Sequence, residues 1–89
     1  MENYQTKVIE AQVNLLWHLR ETHENELTPI QIDWIDDDIT YVEVKYLGIE
    51  DDSTRAAEFR DEEHKSIDFV DALNLLSVRI ENTVKYLEC

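Results

Sequence analysis

The sequence predicts an α+β domain: an N-terminal helix, an antiparallel β-hairpin or three-stranded meander, and a C-terminal helix, with both helices packed on one face of the sheet. Three observations carry that expectation. Both ends of the chain repeat apolar residues at helical spacing, and the middle alternates them with a period of two. A chain of 89 residues, 43% of them hydrophobic, also has enough apolar surface for one core and too little length for two. Residues 1–89 are therefore read as a single domain, without linker, repeat or low-complexity segment.

From Tyr4 to Thr22, Val8, Ile9, Ala11, Leu15, Leu16 and Leu19 share one broad side of a helix, and Lys7, Glu10, Asn14, His18 and Glu21 lie opposite. That is the pattern of an amphipathic helix. Val13 and Trp17 stand at the edge of its apolar arc, where they can meet the other helix or a second copy of the chain.

Pro29 opens the alternating segment. Ile30, Ile32 and Trp34 fall on one side, with Gln31 and Asp33 on the other, and after Asp36, Asp37 and Asp38 the pattern resumes as Thr40, Val42, Val44 and Tyr46 against Tyr41, Glu43 and Lys45. Two strands joined by the aspartates place Ile35 opposite Ile39, Ile32 opposite Val42 and Ile30 opposite Val44, so both apolar sets share a face. Asp37 or Asp38 then has to take the left-handed conformation that such a loop needs. Residues 52–59 form either a third strand, with Ala57 and Phe59 inward, or a helical turn started by Asp52 or Ser53 that brings Ala56 and Phe59 together. The strand is preferred.

Ser66 is a good N-cap, Asp68 sits in the first turn, and Phe69, Leu73, Leu76, Ile80, Thr83 and Leu87 follow at alternating spacings of four and three. This is a helix with a heptad-like seam. Leu75, Val78 and Tyr86 add a second stripe, available to the first helix or to another copy.

Several chemistries are excluded. Gly48 is the only glycine, so no glycine-rich phosphate cradle exists. An EF-hand begun at Asp36 puts Tyr41 where glycine is needed and Leu47 where the bidentate glutamate belongs. His18 and His23 are five residues apart and do not share a helix face. Glu58, Asp61, Glu62, Glu63 and His64 contain enough carboxylates for Mg²⁺ chemistry of the nucleotide pyrophosphohydrolase kind, but such sites are built from several long helices, and two are expected here. No serine lies in a nucleophile elbow, and Cys89, the single cysteine, pairs with no catalytic motif. No enzyme activity, metal or cofactor is expected. A single cysteine suits a reducing compartment; without a signal peptide or an apolar span, a cytoplasmic location follows.

Charge is the outlying quantity. The chain holds 21 acids and 8 bases, a net charge of −13, and the stretch from Glu21 to Asp52 holds eleven of those acids against Lys45 alone. A single-sign field repels nucleic acid and anionic membranes and steers basic partners inward. The expected partner is a basic protein surface such as that of a nuclease or another nucleic-acid-binding protein, met by Asp33, Asp36, Asp37, Asp38, Glu43, Glu50, Asp51 and Asp52 with Tyr41 as aromatic anchor. In size, charge and lack of a catalytic motif the chain resembles, by composition, the small inhibitors that phages and mobile elements use against host nucleases, restriction systems and CRISPR effectors. The resemblance implies a nucleic-acid mimic acting in the host cytoplasm. The alternative is a homo-oligomeric regulator such as a homodimer, an antitoxin or immunity protein, or an accessory subunit, that works through Val13, Trp17, Leu75, Val78 and Tyr86.

Overall fold

A computed structural model describes residues 4–49, 54–61 and 67–88, and these form four α-helices with no strand among the described residues. In chain order they are α1 (Tyr4–Thr22), α2 (Pro29–Lys45), α3 (Thr54–Asp61) and α4 (Phe69–Glu88). The expected α+β architecture is therefore overturned. The fold is all-α, and the segment read as a hairpin is the single helix α2.

The reason lies at the start of α2. Thr28 is its N-cap: the Thr28 hydroxyl accepts from the Gln31 backbone N–H at 3.2 Å, and the Gln31 side chain accepts from the Thr28 N–H at 3.1 Å. Pro29 occupies the first turn, where its missing N–H costs nothing. This capping box satisfies two of the N–H groups that every helix start leaves open. Downstream, Ile35, Ile39 and Val42 are buried, and their spacings of four and three place all three on one helical stripe. The alternation of Ile30, Ile32 and Trp34 pointed to a strand because β-branched and aromatic residues fit strands well, a preference that packing readily overrides. In the helix Ile30 and Trp34 are exposed, at 60% and 47%.

The remaining turns follow from equally local chemistry. After α1, the N–H groups of Glu26 and Leu27 both reach the His23 carbonyl, and Leu27 drops into the core. After α2, the Ile49 N–H bonds back to the Glu43 carbonyl at 2.9 Å. This wide closing turn has a left-handed residue just before its donor, as many helix C-termini do. Gly48, with φ of 69°, supplies that conformation. Residues 54–61 are helical, so the preferred third strand is also corrected. The helical alternative gives the observed grouping: Ala56 is fully buried and Phe59 half-buried. The expected N-cap Ser66 lies outside the described residues; the Asp68 carboxylate caps α4 by accepting from the Asp71 N–H at 2.8 Å.

Without a sheet to cover, α1 and α4 pack on each other and on α2. Ile9, Val13 and Leu16 of α1, Ile35, Ile39 and Val42 of α2, and Ala72 and Leu76 of α4 share one core with Leu27. Each fully buried Ile or Leu contributes about 1.5–3 kcal/mol by leaving water. Thr83, also buried, donates its hydroxyl to the Arg79 carbonyl at 2.8 Å, so the one polar member of the α4 seam carries no unpaired group into the core.

Two substitutions test this account of α2. Ile39→Ala is expected to cost about 2–5 kcal/mol through the cavity it leaves, and Thr28→Ala about 0.5–2 kcal/mol through loss of the cap. Urea unfolding followed by far-UV circular dichroism reads both. A strand-type spectrum for the wild type would overturn the fold itself.

Candidate functional site

The three aspartates expected at a hairpin tip lie in mid-helix. Successive residues of an α-helix are rotated by about 100°, so Asp36 and Asp38 project from two flanks of α2. Asp36 meets α1, where Arg20 donates Nε and Nη2 to its two carboxylate oxygens at 2.7 and 3.2 Å. Asp38 meets α4, where the Arg79 Nε donates to Oδ2 at 2.7 Å. All four side chains keep only 19–23% of their exposure. Each guanidinium also lies over an indole, Arg20 at 5.4 Å from the Trp17 ring and Arg79 at 5.2 Å from that of Trp34. The result is two Asp–Arg–Trp arrangements, one along each seam of α2. Within them each cation gains from both the carboxylate and the ring face.

Burial raises the Asp38 pKa above its ordinary value; the neighbouring Asp37 charge adds to the rise, and the Arg79 hydrogen bond and charge oppose it. Ionising Asp38 therefore works against folding. Its contribution to stability is complete below the unfolded carboxyl value of about 3.9 and is lost as pH rises through the raised folded-state value.

The α2–α4 seam is also an open groove. The helices run antiparallel along it, since Trp34 borders Asn82 and Thr83, while Asp38 and Tyr41 border Leu75. Three shallow depressions of about 220, 360 and 330 Å³ lie in sequence. The first is lined by Gln31, Trp34 and Arg79, the second by Asp38, Asp71, Leu75 and Val78, and the third by Asp37, Tyr41 and Phe59. Phe59 of α3 closes this last end, edge-to-face with Tyr41 at 5.2 Å and 85°.

The fold thus redistributes the residues singled out by sequence. Asp33 and Asp37 are exposed on α2, Glu43 is half-buried, and Asp36 and Asp38 are engaged by the arginines. Tyr41 packs on Phe59, and Glu50, Asp51 and Asp52 lie outside the described residues. Of the apolar set, Val13 is a core residue at 6% exposure, Trp17 packs on the core beneath Arg20, and Leu75 is half-buried in the groove wall. Val78 and Tyr86 are exposed, at 54% and 40%. Asp37, Asp38, Tyr41, Leu75 and Val78, read as members of two separate surfaces, line one groove. Sequence reasoning missed Arg20, Arg79 and Trp34. The available signal was that a run of aspartates inside a helix needs cations from neighbouring elements, and Arg20 and Arg79 follow the core residues Leu16 and Leu76 at spacings of four and three, on the buried stripes of α1 and α4.

The expectation of two helices argues against a carboxylate-bundle metal site, and four helices are present among the described residues. Of that cluster, Glu62, Glu63 and His64 lie outside the described residues, Asp61 ends α3, and Glu58 is exposed. Among the described residues no group of three His, Cys, Asp or Glu side chains could hold a metal ion. No helix among them is long and apolar enough to cross a membrane. Comparison of the chain with protein-family models, with curated proteins and with solved structures finds no match.

The stability of the wild type relative to Asp38→Asn is expected to grow as pH falls from about 7 towards about 4. Urea midpoints of the two proteins across that range provide the measurement. A gap that closes on acidification would mean that the Arg79 pair outweighs burial at this carboxylate.

Proposed function

We propose that this chain is a non-catalytic acidic interaction protein that binds a basic protein surface and blocks it, as an inhibitor of a nucleic-acid-binding protein would, with carboxylates standing in for phosphates. One observation carries the reading. Among the described side chains eleven acids are exposed, and the exposed bases are Lys7 and Lys85. Lys85 is itself paired with Glu81 at 2.9 Å. Arg20, Arg79 and Lys45 are withdrawn into the helix packing, so the described surface is more uniformly negative than the composition. Such a field accelerates encounter with a basic partner and repels nucleic acid. The cytoplasm, where a single cysteine stays reduced, is the proposed site of action.

The exposure of Val78 and Tyr86 on α4 favours a second reading, a homo-oligomeric regulator. It predicts that sedimentation shows concentration-dependent association, abolished by Val78→Glu with Tyr86→Glu. The first reading predicts a monomer at the same concentrations.

For the first reading, immobilised protein is exposed to lysate and eluted with rising salt. The expected result is recovery of nucleic-acid-processing proteins in salt-sensitive fractions, displaced by added DNA or RNA. Neutralising Asp33, Asp37 and Asp71 to Asn is expected to slow association and flatten its salt dependence, with helix content unchanged. Retention indifferent to salt and to nucleic acid would demote the charge to a solubility device.

A further inference from the structure

We infer that the groove between α2 and α4 docks one basic amphipathic helix of the partner protein, an inference that rests on the function proposed above and names its contact surface. Shape points there first. From Asp71 to Asn82 the groove follows α4 for about 16 Å, or roughly three helical turns, which matches a helix presenting anchors at i, i+3 or i+4, and i+7. The three depressions supply the places for those anchors, and their apolar walls are Trp34, Leu75, Val78, Tyr41 and Phe59. Trp34 remains 47% exposed and Val78 54%, so apolar area is left for a partner to cover.

Charge points the same way. Asp37, Asp38 and Asp71 line the groove, and the single cation among its described lining residues, Arg79, is already bound to Asp38. A helix with lysines or arginines beside its apolar stripe meets carboxylates on the groove's edge. A second copy of this chain, with a net charge of −13, would set like charges against each other, and for that reason is not the occupant.

The test uses a synthetic helical peptide of about 18 residues, with leucines at helical anchor spacing and lysines elsewhere, titrated into the isotopically labelled full chain. Two control peptides are used, one with the leucines scrambled and one with glutamate for lysine. Amide shifts are expected to concentrate on Trp34, Leu75, Val78 and Arg79. The scrambled peptide is expected to bind at least about tenfold more weakly, as is the patterned peptide to Val78→Glu, since each removes an apolar anchor contact; the glutamate peptide is expected not to bind. Val78 is exposed, so the variant keeps the wild-type helix content and melting temperature. Shifts spread over the acidic surface, equal binding of the scrambled peptide, or self-association at the groove would overturn the inference. A salt-eluted lysate partner that binds wild type and Val78→Glu equally would sink the groove and leave the proposed function standing. Groove binding of the peptide without any partner displaced by nucleic acid would do the reverse.

Discussion

Helix α2 carries a carboxylate on each flank of its buried stripe, and an arginine of a neighbouring helix meets each one there. Burying an unpaired carboxylate is costly, and α2 packs on α1 and α4 in a register that sets Asp36 against Arg20 and Asp38 against Arg79. The apolar stripe of Ile35, Ile39 and Val42 supplies burial in the shared core. The two charged pairs supply position: Arg20 grips both oxygens of Asp36 in the forked geometry that suits guanidinium and carboxylate, and each arginine is backed by an indole that limits where it can go.

Those pairs also shape the outside of the molecule. Among the described side chains, Arg20, Arg79 and Lys45 are drawn into the packing, and eleven carboxylates remain exposed beside the two exposed bases Lys7 and Lys85. Among the described residues, internal pairing and external field are two sides of one distribution of few bases among many acids. Along the α2–α4 seam the same distribution leaves a mixed surface, in which a neutralised ion pair is flanked by exposed apolar side chains and further aspartates. Such a surface is suited to a partner that brings both apolar and basic groups.

The helices at both ends of the chain were legible as sequence. The range of α1 is the one that its periodicity predicts, and the seam from Phe69 to Leu87 supplies buried and half-buried positions of α4. The middle was misread because two periodicities coexist there. Ile30, Ile32 and Trp34 alternate as in a strand, and Ile35, Ile39 and Val42 repeat as in a helix; the Thr28 capping box with Pro29 was the local signal that chose between them. The candidate site was legible in part. Asp37, Asp38, Tyr41, Leu75 and Val78 could be named from type and position, but a hairpin reading set the first three on a different element from the surface they form with α4.

What the sequence determined by itself was the amphipathic character of the terminal helices, the presence of one core's worth of apolar residues, and the concentration of acid between Glu21 and Asp52. These are properties of composition and local spacing, which need no knowledge of what packs on what. Only the tertiary structure decided which carboxylates pair with arginines, which apolar residues stay outside, and that α2 and α4 meet to form a groove. Pairs separated by 16 and 41 residues carry no local pattern; they become neighbours only when the buried stripes of three helices find a common core.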